Sequence, residues 1–273
     1  MKWWWRCCLA LALMLSAILA VIPAGSAEMK VAIVSRTVFY VPLWIADHAG
    51  YFKEEGLELA IEVYDNAERI NEDLRAGRVQ IAVSTPESVV VDAYRGGSLR
   101  IVAGNAAKLP HFIIARPEIR ALEHLRGARF GFNNLGAMLK YIPDYQFTSV
   151  NVDATWASQN RDMVVAFLRA LRRGQARMRS DPTQAAELAA QELKTSLAFA
   201  RRALEETEKL KILPDDLSVS QPGLSYVFDS LKSVGLTRIS HGGFGIGRGE
   251  SVKVVVRAIT SADHGDPADV DRL

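Results

Sequence analysis

The chain has 273 residues, a formal net charge of +2, 49% hydrophobic residues and two cysteines, Cys7 and Cys8. This balance excludes a disulfide-stapled miniature and a basic nucleic-acid binder, and the length allows one or two ordinary globular domains. Both cysteines lie with Lys2 and Arg6 at the start of a basic-then-apolar segment that ends at Pro23, with small residues Gly25 and Ala27 beyond. The apolar run is shorter than the roughly 20 residues of a spanning helix, so the segment reads as an export signal cleaved near Ala27. Beyond Ala27 the chain is charge-neutral and free of thiols, so its stability must come from core packing.

Taken in chain order, Val31 and Ile33 mark a buried strand that runs out at Ser35-Arg36-Thr37. Pro42 then suits the first turn of a helix whose apolar face is Val41, Trp44, Ile45, Ala49 and Phe52. Leu57, Leu59, Ile61 and Val63 alternate with Glu58, Ala60 and Glu62, the period of a half-buried edge strand. Asn66 is placed to cap the next helix, with Ile70 and Leu74 on its core face and Gly77 at its left-handed end. Val79, Ile81 and Val83 give a third strand, and Leu99 to Ala103 a fourth that ends at Gly104-Asn105.

Strands joined by helical crossovers imply a parallel sheet in the order 2-1-3-4, with ligands at the carboxyl ends of the strands. From Asn160 onward the pattern is helical: Met163, Phe167 and Leu171 share a face, Asp181-Pro182 opens a second helix, Leu197 to Leu210 a third, and Pro222 a last one before Gly235. The glycines at 242, 243, 245, 247 and 249 belong to a loosely attached tail; GGFGIGRG there has neither the preceding strand nor the following helix of a dinucleotide loop.

Two loops face each other across the expected crevice. Ser35, Thr37, Phe39 and Tyr40 offer hydroxyls and aromatic faces, and the bland alternative is that Phe39 and Tyr40 only cover the sheet. Opposite them, Ser84-Thr85-Pro86-Glu87 reads as a helix start, where free backbone N–H groups and the helix dipole suit an anion or a carbonyl. Plain capping by Ser84 or Thr85, with Glu87 closing a capping box, satisfies the same pattern, and both can hold at once. Asn105 could reach the ligand, although a turn asparagine is the commoner reading. The five histidines show no metal-site spacing and Ser84 lacks the GxSxG turn, so no metal, cofactor or catalytic residue is expected.

The segments YVPLWIADHAGYFKEEGLEL, LRAGRVQIAVSTPES and GGSLRIVAGNA occur in the order seen in the periplasmic substrate-binding proteins of ABC transporters. The chain resembles the branch that includes sulfonate, taurine, nitrate and thiamine-pyrimidine binders, over residues 30–130 and 140–236. The resemblance implies an α/β fold of the type 2 periplasmic-binding-protein kind, with a parallel-sheet first lobe and a truncated second lobe. It divides the chain into a signal (1–27), a discontinuous first lobe (28–104 with 153–236), a shortened second lobe with crossover strands (105–152) and an atypical tail (237–273).

The shortening is visible where GARFGF runs almost directly toward YQFTSVNV. About 48 residues between Asn105 and Val152 stand close to the roughly 40 below which a chain rarely buries its own core. By motif position, Ser35–Tyr40, Ser84–Glu87 and Asn105 would be the first lobe's ligand contacts. The implied function is a monomeric periplasmic solute binder that closes over a small polar or anionic organic molecule and delivers it to an ABC permease and its ATPase. The alternatives are a non-binding remnant of that family, or a periplasmic enzyme acting on a small anion, which would need a base near Ser84. The cysteine-rich motif of the family's pyrimidine-synthesising fungal relatives is absent.

Overall fold

The computed structural model describes residues 27–108, 116–126, 145–233 and 235. The expected signal, the strand read in GARFGF, most of the expected second lobe and the tail lie outside these residues.

The first strand, β1 (Ala27–Ile33), buries both its faces, since Met29, Val31 and Ile33 on one side and Ala32 on the other are fully enclosed. That requires a helical layer on each face, which is what the short helix-bearing connections supply. On one side lie α1 (Val41–His48), with Pro42 in its first turn, and the one-turn α2 (Tyr51–Glu54). The opposite side carries α3 (Ala67–Arg75) and α4 (Glu87–Tyr94). Asn66 caps α3 as expected, its Oδ1 accepting the Arg69 N–H at 2.9 Å, and Gly77 follows at φ 69°, where a side chain would be strained.

The edge position expected for β2 (Leu57–Val63) is observed: only Leu57 is buried and Val63 is 46% exposed. β3 (Ile81–Ser84) pairs in parallel with β1, and β4 (Leu99–Ala106) follows α4. The expected order 2-1-3-4 needs one correction. A fifth strand, β5 (Thr148–Asp153), lies between β3 and β4 and runs antiparallel to both, so the sheet is mixed and ordered β2-β1-β3-β5-β4. The chain leaves the sheet after β4 and re-enters it from the same end, which forces the returning strand to run backwards.

Two further helices of the first layer are α6 (Arg161–Ser180) and α7 (Pro182–Glu192), preceded by a short α5 (Ala154–Gln159) that the sequence pattern did not reveal. Asp153 starts α5 by accepting the N–H groups of Thr155 and Trp156. α8 (Leu197–Lys209) completes this layer, and α9 (Gln221–Ser233) joins α3 and α4 through Leu224, Val227 and Leu231. No helix among the described residues is long and apolar enough to cross a membrane.

Helices α1 and α6 approach each other closely. A Cβ at Gly174 would stand 2.2 Å from the Pro42 carbonyl oxygen and 2.8 Å from the Ala46 Cβ. Gly174→Val is therefore expected to lower stability by about 1–3 kcal/mol through overpacking, measured by urea unfolding, while Gly77→Val acts through φ alone.

Candidate functional site

Because β5 runs antiparallel, its first residues stand at the carboxyl ends of β1 and β3, among the loops singled out above. Ser149 pairs across from Ser84, and Thr148 from Ala106. The side chains of β5 alternate between the two faces of the sheet, and both faces carry polar groups.

On the face toward α3 and α4, Asn151 Nδ2 donates to Ser84 Oγ at 2.9 Å, and Ser149 Oγ donates to Asn151 Oδ1 at 2.8 Å. Across the strand, Asn105 Nδ2 donates to Thr148 Oγ1 at 3.0 Å and to the Phe39 carbonyl at 3.2 Å. Gln146 is fully enclosed; its amide donates to the Thr148 and Ala106 carbonyls, and its oxygen accepts the Ser220 N–H at 2.7 Å. These contacts hold the loop after β1, the end of β4, the start of β5 and the segment before α9 as one rigid floor.

The residues expected at the site divide accordingly. Asn105, Ser84, Phe39, Thr37 and Glu87 gather at the carboxyl ends of the strands, whereas three others do not take the expected role. Tyr40 is only 3% exposed and sets its ring edge-on to Trp44 in the core; burial raises its hydroxyl pKa to about 12, against a partial offset from the Val34 backbone. Ser35 is exposed. Neither Ser84 nor Thr85 caps α4: Pro86 is the capping residue, without a side-chain bond, and Ser84 stays in β3. Phe39 packs edge-on against Phe147, with ring centres 5.3 Å apart.

The capping box expected for Glu87 is also replaced. Its Oε1 accepts the hydroxyl of Tyr145, which stands just before β5, and its Oε2 is closed off from water without a hydrogen-bond partner. Burial raises the Glu87 carboxyl pKa, the Tyr145 hydroxyl, the residue's own N–H and Thr85 pull it down, and the charge of Glu68 pushes it up. The Tyr145 hydroxyl is raised as well, by burial and by its carboxylate neighbour. Ser88 Oγ and Thr37 Oγ1 are likewise buried and unpartnered.

Tyr145, Gln146, Thr148, Ser149 and Asn151 were missed as site residues. The signal was available in the run from Gln146 to Asp153, where polar residues alternate with valines in a strand that returns to the sheet. Such alternation inside a sheet demands partners on the flanking strands.

Two cavities lie nearby. One of about 920 Å³ opens at the β2 edge among Lys30, Glu62, Tyr64, Asp73 and Arg78, but its charges already satisfy one another, with Tyr64 donating to Asp73 at 2.7 Å and Lys30 paired to Glu62 at 3.1 Å. The other, of about 450 Å³, is mostly apolar and lies between Val38, Phe39 and α8. Among the described residues no group of three or more His, Cys, Asp and Glu side chains could hold a metal ion.

A family described as NMT1/THI5 like matches residues 39–142. YtlA of Bacillus subtilis (strain 168), whose name assigns it a binding role, is 26% identical over 132 residues, which are 46% of this chain and 39% of that protein. The chain thus spans about two fifths of the length of this curated relative. Among solved structures, the CA3427 gene product of Candida albicans, described as exhibiting the generic periplasmic binding protein fold, aligns at a TM-score of 0.61 with 14% identity, covering 86% of this chain and 95% of that one. The periplasmic nitrate-binding protein NrtA of Synechocystis PCC 6803 aligns at 0.56 with 10% identity, covering 89% and 90%.

The Glu87 carboxyl makes stability depend on pH with a definite sign. Its pKa in the folded protein is raised, so the folded state holds the proton more tightly than the unfolded chain. This contribution is full below the ordinary glutamate range and is lost as pH rises through the raised value. Urea unfolding across that range is expected to show the loss in the native chain and its absence in Glu87→Gln. Asn151→Ala, which strands the Ser84 and Ser149 hydroxyls, should cost about 1–3 kcal/mol at any pH. The architecture, the antiparallel return of β5 and the matched segment together give this chain the periplasmic-binding-protein fold, with an NMT1/THI5-like signature over residues 39–142.

Proposed function

We propose that the chain is the solute-binding component of an ABC importer, exported to the periplasm, which captures a small polar organic molecule at the carboxyl ends of β1, β3 and β4 and hands it to a permease. The observation that carries this reading is the floor built around β5: hydrogen bonds from Asn105, Gln146 and Asn151 make a rigid wall, and unpartnered polar atoms of Thr37, Glu87 and Ser88 remain beside it. A binding crevice has this character, a preformed frame with a few polar groups left for the ligand. The binding role in YtlA's name and the nitrate-binding role of NrtA support the same direction.

In this reading the second wall comes from residues 105–152, and closure of the two walls on the solute is the state that the permease recognises. Binding needs no covalent step, and none of the paired side chains described above forms a nucleophile with an adjacent base.

Thermal melting of the exported protein against a library of small polar organic solutes tests the proposal. A solute present at a hundred times its Kd should add about 2.7 kcal/mol to the unfolding free energy and raise the midpoint of a cooperative melt. A melt that no solute moves would count against capture and favour the non-binding remnant. N-terminal sequencing of the exported protein is expected to begin at Glu28.

A further inference from the structure

We infer that this crevice takes a small organic cation or another nitrogen hydrogen-bond donor, and that the Glu87 carboxylate recognises it. The inference rests on the solute-binding reading and narrows its ligand class.

The charges around the crevice carry it. Arg36 is the cation offered by the loop after β1, and it is committed elsewhere: its guanidinium pairs with Glu192 Oε2 at the end of α7 and lies 6.0 Å from the Trp44 ring centre. His48 takes the other oxygen of the same carboxylate, at 3.2 Å. The acids remain. Glu87 is enclosed at the start of α4, and the charge of Glu68 acts on it from the start of α3.

The start of α4 would ordinarily favour an anion, through its free N–H groups and the positive end of the helix dipole. Here that place is taken by an internal acid, because the Glu87 carboxyl lies against its own backbone N–H. An oxyanion arriving there would meet a buried carboxyl in place of open donors, and desolvation would magnify the repulsion.

The geometry of the carboxyl favours the opposite sign. Tyr145 occupies Oε1, which orients the group, and leaves Oε2 as an acceptor shut from water and without a partner. An unmatched carboxylate oxygen is best satisfied by a charged N–H donor, the strongest pairing open to it. The unpartnered hydroxyls of Ser88, on the same helix, and Thr37, in the loop after the adjacent strand β1, can accept further N–H bonds from the same ligand. A primary ammonium or an amidinium carries two or more such donors on one centre.

The test uses size-matched pairs on the whole exported protein: benzylammonium and benzamidinium against benzoate and benzenesulfonate, read by melting temperature and by calorimetric titration. The cations are expected to raise the melting temperature and the anions to leave it unchanged. Glu87→Gln is expected to weaken cation affinity by about tenfold or more, while Tyr145→Phe, which leaves both carboxylate oxygens free, keeps it. Stabilisation by the anions alone overturns the ligand class and leaves solute capture standing. Cation binding that survives Glu87→Gln overturns the role of Glu87. Silence from both series overturns solute capture and this inference with it. The comparison of cations with anions is made on the unaltered protein, so it decides the ligand class even where a variant does not fold.

Discussion

The structure depends on the burial of one polar strand. β5 lies between β3 and β4 with all six residues enclosed, and four of those six, Thr148, Ser149, Asn151 and Asp153, carry side chains that must find partners. A buried polar group left unmatched costs about 1–3 kcal/mol, so only a register that satisfies all four is stable. The observed pairing does so: Ser84 and Ser149 meet through Asn151, Thr148 receives Asn105, and Asp153 caps α5 and takes the Ser98 hydroxyl. Two valines between these residues supply the apolar part of the core.

The same register builds the candidate site. Seating β5 brings Tyr145 to Glu87 and Gln146 to the segment before α9, so the groups that lock the strand also floor the crevice. The chain leaves the sheet after Ala106 and returns at Tyr145, both at the end where the loops after β1 and β3 stand. Any movement of the intervening residues against the sheet would therefore be felt first at these two points. Hinge motions act at such element ends, where a few residues absorb the change while the packed layers stay intact.

Electrostatics separates shape from specificity in this fold. The alignment with a nitrate-binding protein reflects the arrangement of strands and helices, at 10% identity. Which ligand charge a crevice accepts is decided by a handful of side chains, and here the available cation is drawn off to Glu192 while an acid occupies the start of α4. Two proteins can therefore share layers and topology and take ligands of opposite sign.

Much of the framework was legible in the residues themselves. Period-two alternation marked β2 as an edge strand, Asn66 and Gly77 bounded α3, and Pro42 and Pro182 opened their helices, because each of these signals is local and acts through neighbouring backbone. The crossover strand could be picked out, but its place between β3 and β4 could not, since a pairing partner is a long-range choice. The side-chain roles went the same way. Tyr40 entered the core, Arg36 turned to Glu192, and Glu87 exchanged a local capping box for a bond to Tyr145, 58 residues away. By itself the sequence determined which segments are strands and helices and that polar groups cluster at the strand ends. The tertiary structure alone decided which of those groups are spent on one another and which remain for a ligand, because burial and the partners it requires exist only once distant strands have met.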